Sequence, residues 1–265
     1  MKGSAAALAA LLMLAGTGLA SAGVVVSEEQ TVDQGNGKPM TQNVTVMVQG
    51  NKQRTAVGDN AMILDLDKGT RTVINSACKA YVQMPFPPSI PNQGAMPPVA
   101  FKKTGGHQKI AGYSCDEYVG VTKSGGNEST INGCFSNSAP GASDFASFNR
   151  AMAQKVKGTP MALTGDVPEG VPLKIDSTTK ITHFSMPGMS PEQAAKVAEM
   201  LKNRPPTIAR MMATSVAQRD LPADTFVPPA DYTKQEAGAP MMGRPGASGG
   251  GPASGGGAAP TKVPE

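Results

Sequence analysis

Asp65-Leu66-Asp67-Lys68-Gly69-Thr70 follows an apolar run and sets two carboxylates two positions apart, as in loops that use a first aspartate as a nucleophile toward phosphate. That chemistry needs Thr or Val four residues after the first Asp, and a following helix whose N-terminal amides hold the phosphate. Gly69 occupies the fourth position and no helical pattern follows, so a solvated hairpin turn is expected. His107 and His183 are far apart and lie in neither a nucleophile elbow nor an HExxH pattern. His107 reads as a loop residue after Thr104-Gly105-Gly106, and His183 as a half-exposed strand residue. Glycine loops of the kind that cradle phosphates are absent. Nothing in these patterns points to bond chemistry, and no enzymatic activity and no cofactor are expected.

Two other residue types carry chemistry. Methionine is abundant, at 16 residues, and thioethers suit Cu(I) in an oxidising compartment. Met186-Pro187-Gly188-Met189, Met211-Met212 and Met241-Met242 are the candidate ligands. They lack the dense repeated spacing of a copper motif, and Met equally fills irregular apolar gaps. Of the three cysteines, Cys115 and Cys134 flank the Gly125-Gly126 hairpin. A turn centred between Ser124 and Gly125 sets them directly opposite; one centred a residue later makes them diagonal on one face. Pairing of Cys78 with either is the competing arrangement. Otherwise Cys78 is a leftover buried thiol.

The elements that would position these residues are mostly strands. Val44, Val46 and Val48 alternate with Thr45 and Met47; Met62, Leu64 and Leu66 alternate with Ile63 and Asp65. The same period of two runs through 79–84, 113–121, 131–135, 173–175 and 181–183. Alternation marks half-buried antiparallel strands. Turn signals at Gly35-Asn36-Gly37, Gly50-Asn51, Gly58-Asp59-Asn60, Asp67-Lys68-Gly69 and Gly125-Gly126-Asn127 separate them, which predicts a twisted meander. Ser143-Asp144 can cap a helix that presents Phe145, Phe148, Met152 and Val156 on one face. Ser190-Pro191-Glu192-Gln193 is a stronger helix start, with a capping Ser, Pro at the first helical position and Gln at the third. That helix carries Val197 and Leu201 and ends at Pro205-Pro206. Six prolines within 85–99 forbid a central strand and read as an exposed loop.

Both ends stand apart. Lys2, the apolar stretch 5–14 and Ala20-Ser21-Ala22 form a signal-peptide pattern over 1–22, cleaved near Ala22. The residue after the cleavage site is Gly23 and not Cys, so no lipid anchor is expected. The stretch 5–14 is too short to span a bilayer, and no transmembrane segment is expected in the mature chain. In 237–265, 14 of 29 residues are Gly or Pro, too few apolar groups to offset ordering entropy, so 236–265 reads as a disordered tail. One domain is expected at 23–235, periplasmic or secreted. The net charge of +4 is far from the dense basic stripe of a nucleic-acid binder.

Three stretches, in order, resemble the DUF4412 family of exported proteins. They are Ala61-Met62-Ile63-Leu64-Asp65-Leu66-Asp67-Lys68-Gly69-Thr70 with Val73-Ile74-Asn75 and Lys79-Ala80-Tyr81; Ile110-Ala111-Gly112-Tyr113-Ser114-Cys115-Asp116-Glu117-Tyr118; and Leu221-Pro222-Ala223-Asp224-Thr225-Phe226-Val227-Pro228-Pro229-Ala230-Asp231-Tyr232. The family is similar to the LolA/LolB-like lipoprotein-carrier superfamily. The resemblance implies a mainly β fold with minor α: a curved antiparallel sheet, an incomplete barrel closed by two or more short helices, whose concave face holds acyl chains. The expected function is non-enzymatic binding of an apolar ligand, a lipid or lipoprotein acyl chain. Alternate strand residues and helix faces would line the site: Val44, Val46, Val48, Met62, Leu64, Leu66, Phe145, Phe148, Met152, Val197 and Leu201. The alternatives are a structural or protein-interaction scaffold of the cell envelope, with an envelope protein as partner, and Met-based Cu(I) binding.

Overall fold

The computed structural model describes residues 22–35, 37–88, 99–124, 127–156, 167–181 and 190–236. Residues 1–21 of the expected signal peptide and 237–265 of the expected tail lie outside them. So do residues 89–98 of the proline-rich stretch, the Gly125-Gly126 turn, His183, Met186, Met189, Met241 and Met242. Among the described residues, no helix is long and apolar enough to cross a membrane.

One open, curved sheet of twelve strands organises the chain and does not close into a barrel. The first meander is β1 (Gly23–Asp33), β2 (Met40–Gln49), β3 (Lys52–Val57), β4 (Asn60–Asp65), β5 (Thr70–Asn75) and β6 (Ala80–Pro85). The second is β7 (Ala100–Ile110), β8 (Tyr113–Ser124), β9 (Asn127–Ser136), β10 (Val171–Ile181) and β11 (Thr207–Arg219). Antiparallel pairing of β1 with β11 joins the two meanders, and β12 (Thr233–Gln235) adds a short parallel edge beside β6. The short connections follow the turn signals. At Ala111-Gly112, φ is 51° and 88°, the two left-handed positions of a two-residue hairpin, and Ile110 pairs directly with Tyr113.

Through β1–β6 the ladder has no bulge between neighbours, so alternation assigns faces cleanly. Val24, Val26 and Glu28 share a face with Val44, Val46 and Val48, and farther along with Met62, Leu64, Arg71 and Val73. We call this the inner face. Helix α1 (Ala142–Val156) lies on it, pressing Phe145, Phe148 and Val156 into a cluster with the three valines of β2, Val24, Val26, Leu64, Leu66, Val171 and Leu173. Gly141 lets the chain enter α1: its φ is +76°, and a Cβ there would collide with the side chain of Val24. The helix begins at Ala142, one turn position before the Ser143-Asp144 start read from sequence. Ser143 and Asp144 lie inside its first turn, where the acid suits the helix dipole.

The opposite face of β3–β6 carries Ala56, Ala61, Ile63, Ile74 and Tyr81. A 3-10 turn at Ala223–Phe226 covers it: Phe226 is buried against Ile63 and Ile74, with Leu221 and Tyr232 beside it. The guanidinium of Arg54 donates to the Thr225 carbonyl at 3.0 Å and pins the segment.

Helix α2 (Pro191–Lys202) has the expected start. The Ser190 hydroxyl accepts from the Gln193 amide at 3.2 Å, and the Gln193 side chain accepts from the Ser190 amide at 2.9 Å.

Candidate functional site

The middle of the inner face is filled. Val24, Val26, Val44, Val48, Leu173 and Phe148 are at most 2% exposed, so the helix and sheet interdigitate there without a ligand-sized gap between these side chains. Space opens toward the C-terminal end of α1. Met152, Ala153 and Val156 face Met62 and Leu64 of β4 across a pocket of about 340 Å³, which Gln53, Arg71, Phe86, Asn149 and Val167 complete. Its walls are mainly apolar, with three polar side chains among them, and its size falls at the low end of small-molecule sites, roughly 300–1,000 Å³. The gap opens past the packed rings of Phe145 and Phe148, where Met152 and the small, exposed Ala153 form the helix side of the pocket.

The sequence-derived candidates therefore separate. Met62, Leu64 and Met152 line the pocket. Val44, Val46, Val48, Leu66, Phe145 and Phe148 lie in the packed cluster beside it. Val197 and Leu201 on α2 are half-buried and belong to neither apolar cluster. Arg71 and Phe86 escaped the sequence reading. Val73 and Ile74 are adjacent and both apolar, so periodicity alone leaves the facing of β5 open; the pairing of Leu64 with Arg71 settles it. Phe86 sits in a proline-rich stretch read as an exposed loop. Its described ends correct that reading, because Phe86 and Val99 are both buried. The Phe86 amide donates to the Gly69 carbonyl at 2.8 Å, which draws the ring under the helix.

Arg71 is half-buried and lines the pocket. Among the described residues its polar contact is the Met84 thioether, at 3.9 Å. Lys155 ends beside Gly69, two residues before Arg71. The carboxylates of the same turn are engaged elsewhere. Asp65 is buried and accepts from the Lys68 amide at 2.9 Å, with the Lys68 ammonium at 3.8 Å. Asp67 accepts from the Asn51 amide nitrogen at 2.8 Å. The turn is thus only partly solvated, since its first aspartate serves as an internal cap.

A second buried acid lies on the inner face. Glu28 is 5% exposed between Val44 and Ala213 of the neighbouring strands. Burial pushes its carboxyl up to about 7, and a weak hydrogen bond from Gln30 at 3.5 Å opposes that shift.

On the other meander, Cys115 and Cys134 form a disulfide with Cα atoms 5.4 Å apart. Glu117, not Cys115, stands opposite Cys134, so the bridge is the diagonal form, and Cys78 is free and half-buried. A polar pocket of about 270 Å³ adjoins it, lined by Thr104, Gln108, Glu117, Asn132, Lys174 and Asp176. Its charges satisfy one another: Gln108 donates to Glu117, and Lys174 and Asp176 are 3.2 Å apart. His107 belongs to β7 and not to a loop, and its Nδ1 lies 2.7 Å from Asp116. Lys103, hydrogen-bonded to the same carboxylate, holds Asp116 below the usual carboxylate range. Met211 and Met212 are consecutive strand residues, so their thioethers point to opposite faces and cannot chelate one ion together. Among the described residues no group of three His, Cys, Asp or Glu could hold a metal ion.

No protein-family model and no curated protein matches the sequence. Among solved structures, PNGF-II is similar with a TM-score of 0.38 and 14% identity, over 82% of this chain and 31% of that one. The chain thus spans about a third of the length of PNGF-II. A LolA superfamily protein from Nitrosomonas europaea is similar with a TM-score of 0.30 and 7% identity, over 78% of this chain and 90% of that one. A DUF1329 family protein from Desulfovibrio piger gives 0.21 and 6%, over 77% and 88%.

Proposed function

We propose that this chain is an exported, non-enzymatic protein that binds one small apolar ligand, such as part of a lipid acyl chain, between α1 and β4–β5. The observation that carries this reading is the pocket itself: Met62, Leu64, Phe86, Met152 and Val156 surround about 340 Å³ beside an otherwise tightly packed core. Binding would release water from apolar walls and needs no bond chemistry. The adaptable thioethers of Met62 and Met152 suit a ligand that is recognised by shape and not by directional contacts. A single domain at 23–235, with a cleaved leader and a tail from residue 236, completes the proposal; the Cys115–Cys134 bridge fits an oxidising compartment. Most of the expected lining belongs to the packed cluster, so the site is narrower than a whole concave face.

The test is titration with N-phenyl-1-naphthylamine, a neutral dye that fluoresces in apolar surroundings, with native mass spectrometry of the gently purified full chain. Dye binding at micromolar concentration, weakened about tenfold or more by Met62→Glu, supports the pocket. Met62 is 38% exposed, so this change leaves folding intact. Absence of dye binding and of any co-purifying lipid would sink the reading and leave the scaffold role, which the filled centre of the inner face favours.

A further inference from the structure

We infer that the pocket takes a single-chain amphiphile with an anionic head, its tail against Met62, Met152 and Val156 and its head on Arg71. This rests on the apolar-pocket reading above and names the ligand class. A guanidinium with no acid partner among the described residues is an unusual wall for an apolar space. Arg71 has no carboxylate partner among the described residues, and its thioether contact with Met84 does not neutralise it. Leaving a half-buried cation uncompensated costs free energy that an anion would return.

The surroundings point the same way. Lys155, exposed on the last turn of α1, ends beside Gly69 and adds a second positive charge at the Gly69–Arg71 end of the pocket. The nearest acids of that turn, Asp65 and Asp67, are committed to Lys68 and Asn51. Gln53 and Asn149 offer further amide donors on the rim. At roughly 30 Å³ for each water-sized group, the volume accommodates about ten methylenes, enough for one medium chain. The guanidinium fork suits a carboxylate or a phosphate head equally.

Displacement of the bound dye by ligands of one chain length tests the assignment on the full-length protein. Decanoate, decyl phosphate, decanol and decyltrimethylammonium are compared at pH 7.5. An anionic head binding about tenfold or more tighter than decanol, with the cationic head weakest, supports the inference; the ratio of the two anions separates a carboxylate from a phosphate source. Arg71→Gln should reduce the decanoate-to-decanol preference to about one, and Arg71→Lys should keep part of it. Decanol binding as tightly as both anions in the unaltered protein overturns the inference but spares the apolar pocket. Failure of all four ligands and the dye overturns both. If Arg71→Gln fails to fold, the head-group series on the unaltered protein still decides.

Discussion

Both faces of β3–β6 carry apolar side chains by alternation, yet they are closed in different ways. A helix covers the inner face, and a 3-10 turn with extended flanks covers the other. A helix is a rigid cylinder. At Phe145 and Phe148 its large sheet-facing rings seal the sheet; toward its C-terminal end, at Met152 and Val156, a gap remains beside Met62. An irregular segment can follow the sheet surface and place one large ring, Phe226, where it is needed. Space for a ligand therefore arises from the stiffness of the covering element, not from a lack of apolar residues.

Removing the anchor of each cover should break the comparison most strongly. Phe148→Ala and Phe226→Ala each delete a nearly inaccessible ring, 2% and 7% exposed, and should each cost about 3–5 kcal/mol in urea unfolding. Their effects on the pocket should differ. Phe148 stands one turn before Met152, so its loss should change dye affinity at fixed folded fraction. Phe226 lies on the far side of the sheet, and its loss should not. Equal effects on dye binding would mean that the two faces respond as one layer.

Each face also buries an acid, and the acids sharpen the contrast. Asp65 on the opposite face receives a backbone amide and lies near a lysine, whereas Glu28 on the inner face has one long bond from Gln30. Glu28 titrates near 7 when folded, against an ordinary value near 4.5, so the folded protein holds an extra proton between these limits. Stability from this group falls as pH rises through that window: the penalty is absent below about 4.5 and complete above about 7. At about 1.4 kcal/mol per pH unit, Glu28→Gln should stabilise the protein by about 3 kcal/mol at pH 8 and by almost nothing at pH 4.5. Urea midpoints at the two pH values check this, and a pH-independent effect would show that Glu28 ionises freely in the fold.

The meander, both helices and the diagonal alternative for the disulfide were legible in sequence, because turn glycines and period-two runs are local signals. β1, β3, β5, β7 and β11 were not read as separate strands. In β7, Lys102, Lys103, His107 and Lys109 hide any alternation, and in β11 Met211-Met212 breaks it. The pairing of β1 with β11 joins residues almost two hundred positions apart and has no local signal at all. Of the site, Met62, Leu64 and Met152 followed from alternation and helical spacing. Arg71 and Phe86 did not, because register and a proline-rich connection decide where they point.

Helix α2 provides the smallest test. It has the clearest cap in the chain, yet its Val197 and Leu201 join neither apolar cluster, so local terms must hold more of it than of α1. Ser190→Ala removes the acceptor of the Gln193 amide and should cost the helix about 1 kcal/mol. Amides of α2 should then exchange about fivefold faster with solvent deuterium, while the urea midpoint and dye affinity stay unchanged. A matching fall in global stability would mean that α2 unfolds together with the sheet. It would then count as a third cover, alongside α1 and the Phe226 segment, and the contrast between a rigid lid and a conforming one would need α2 placed in it.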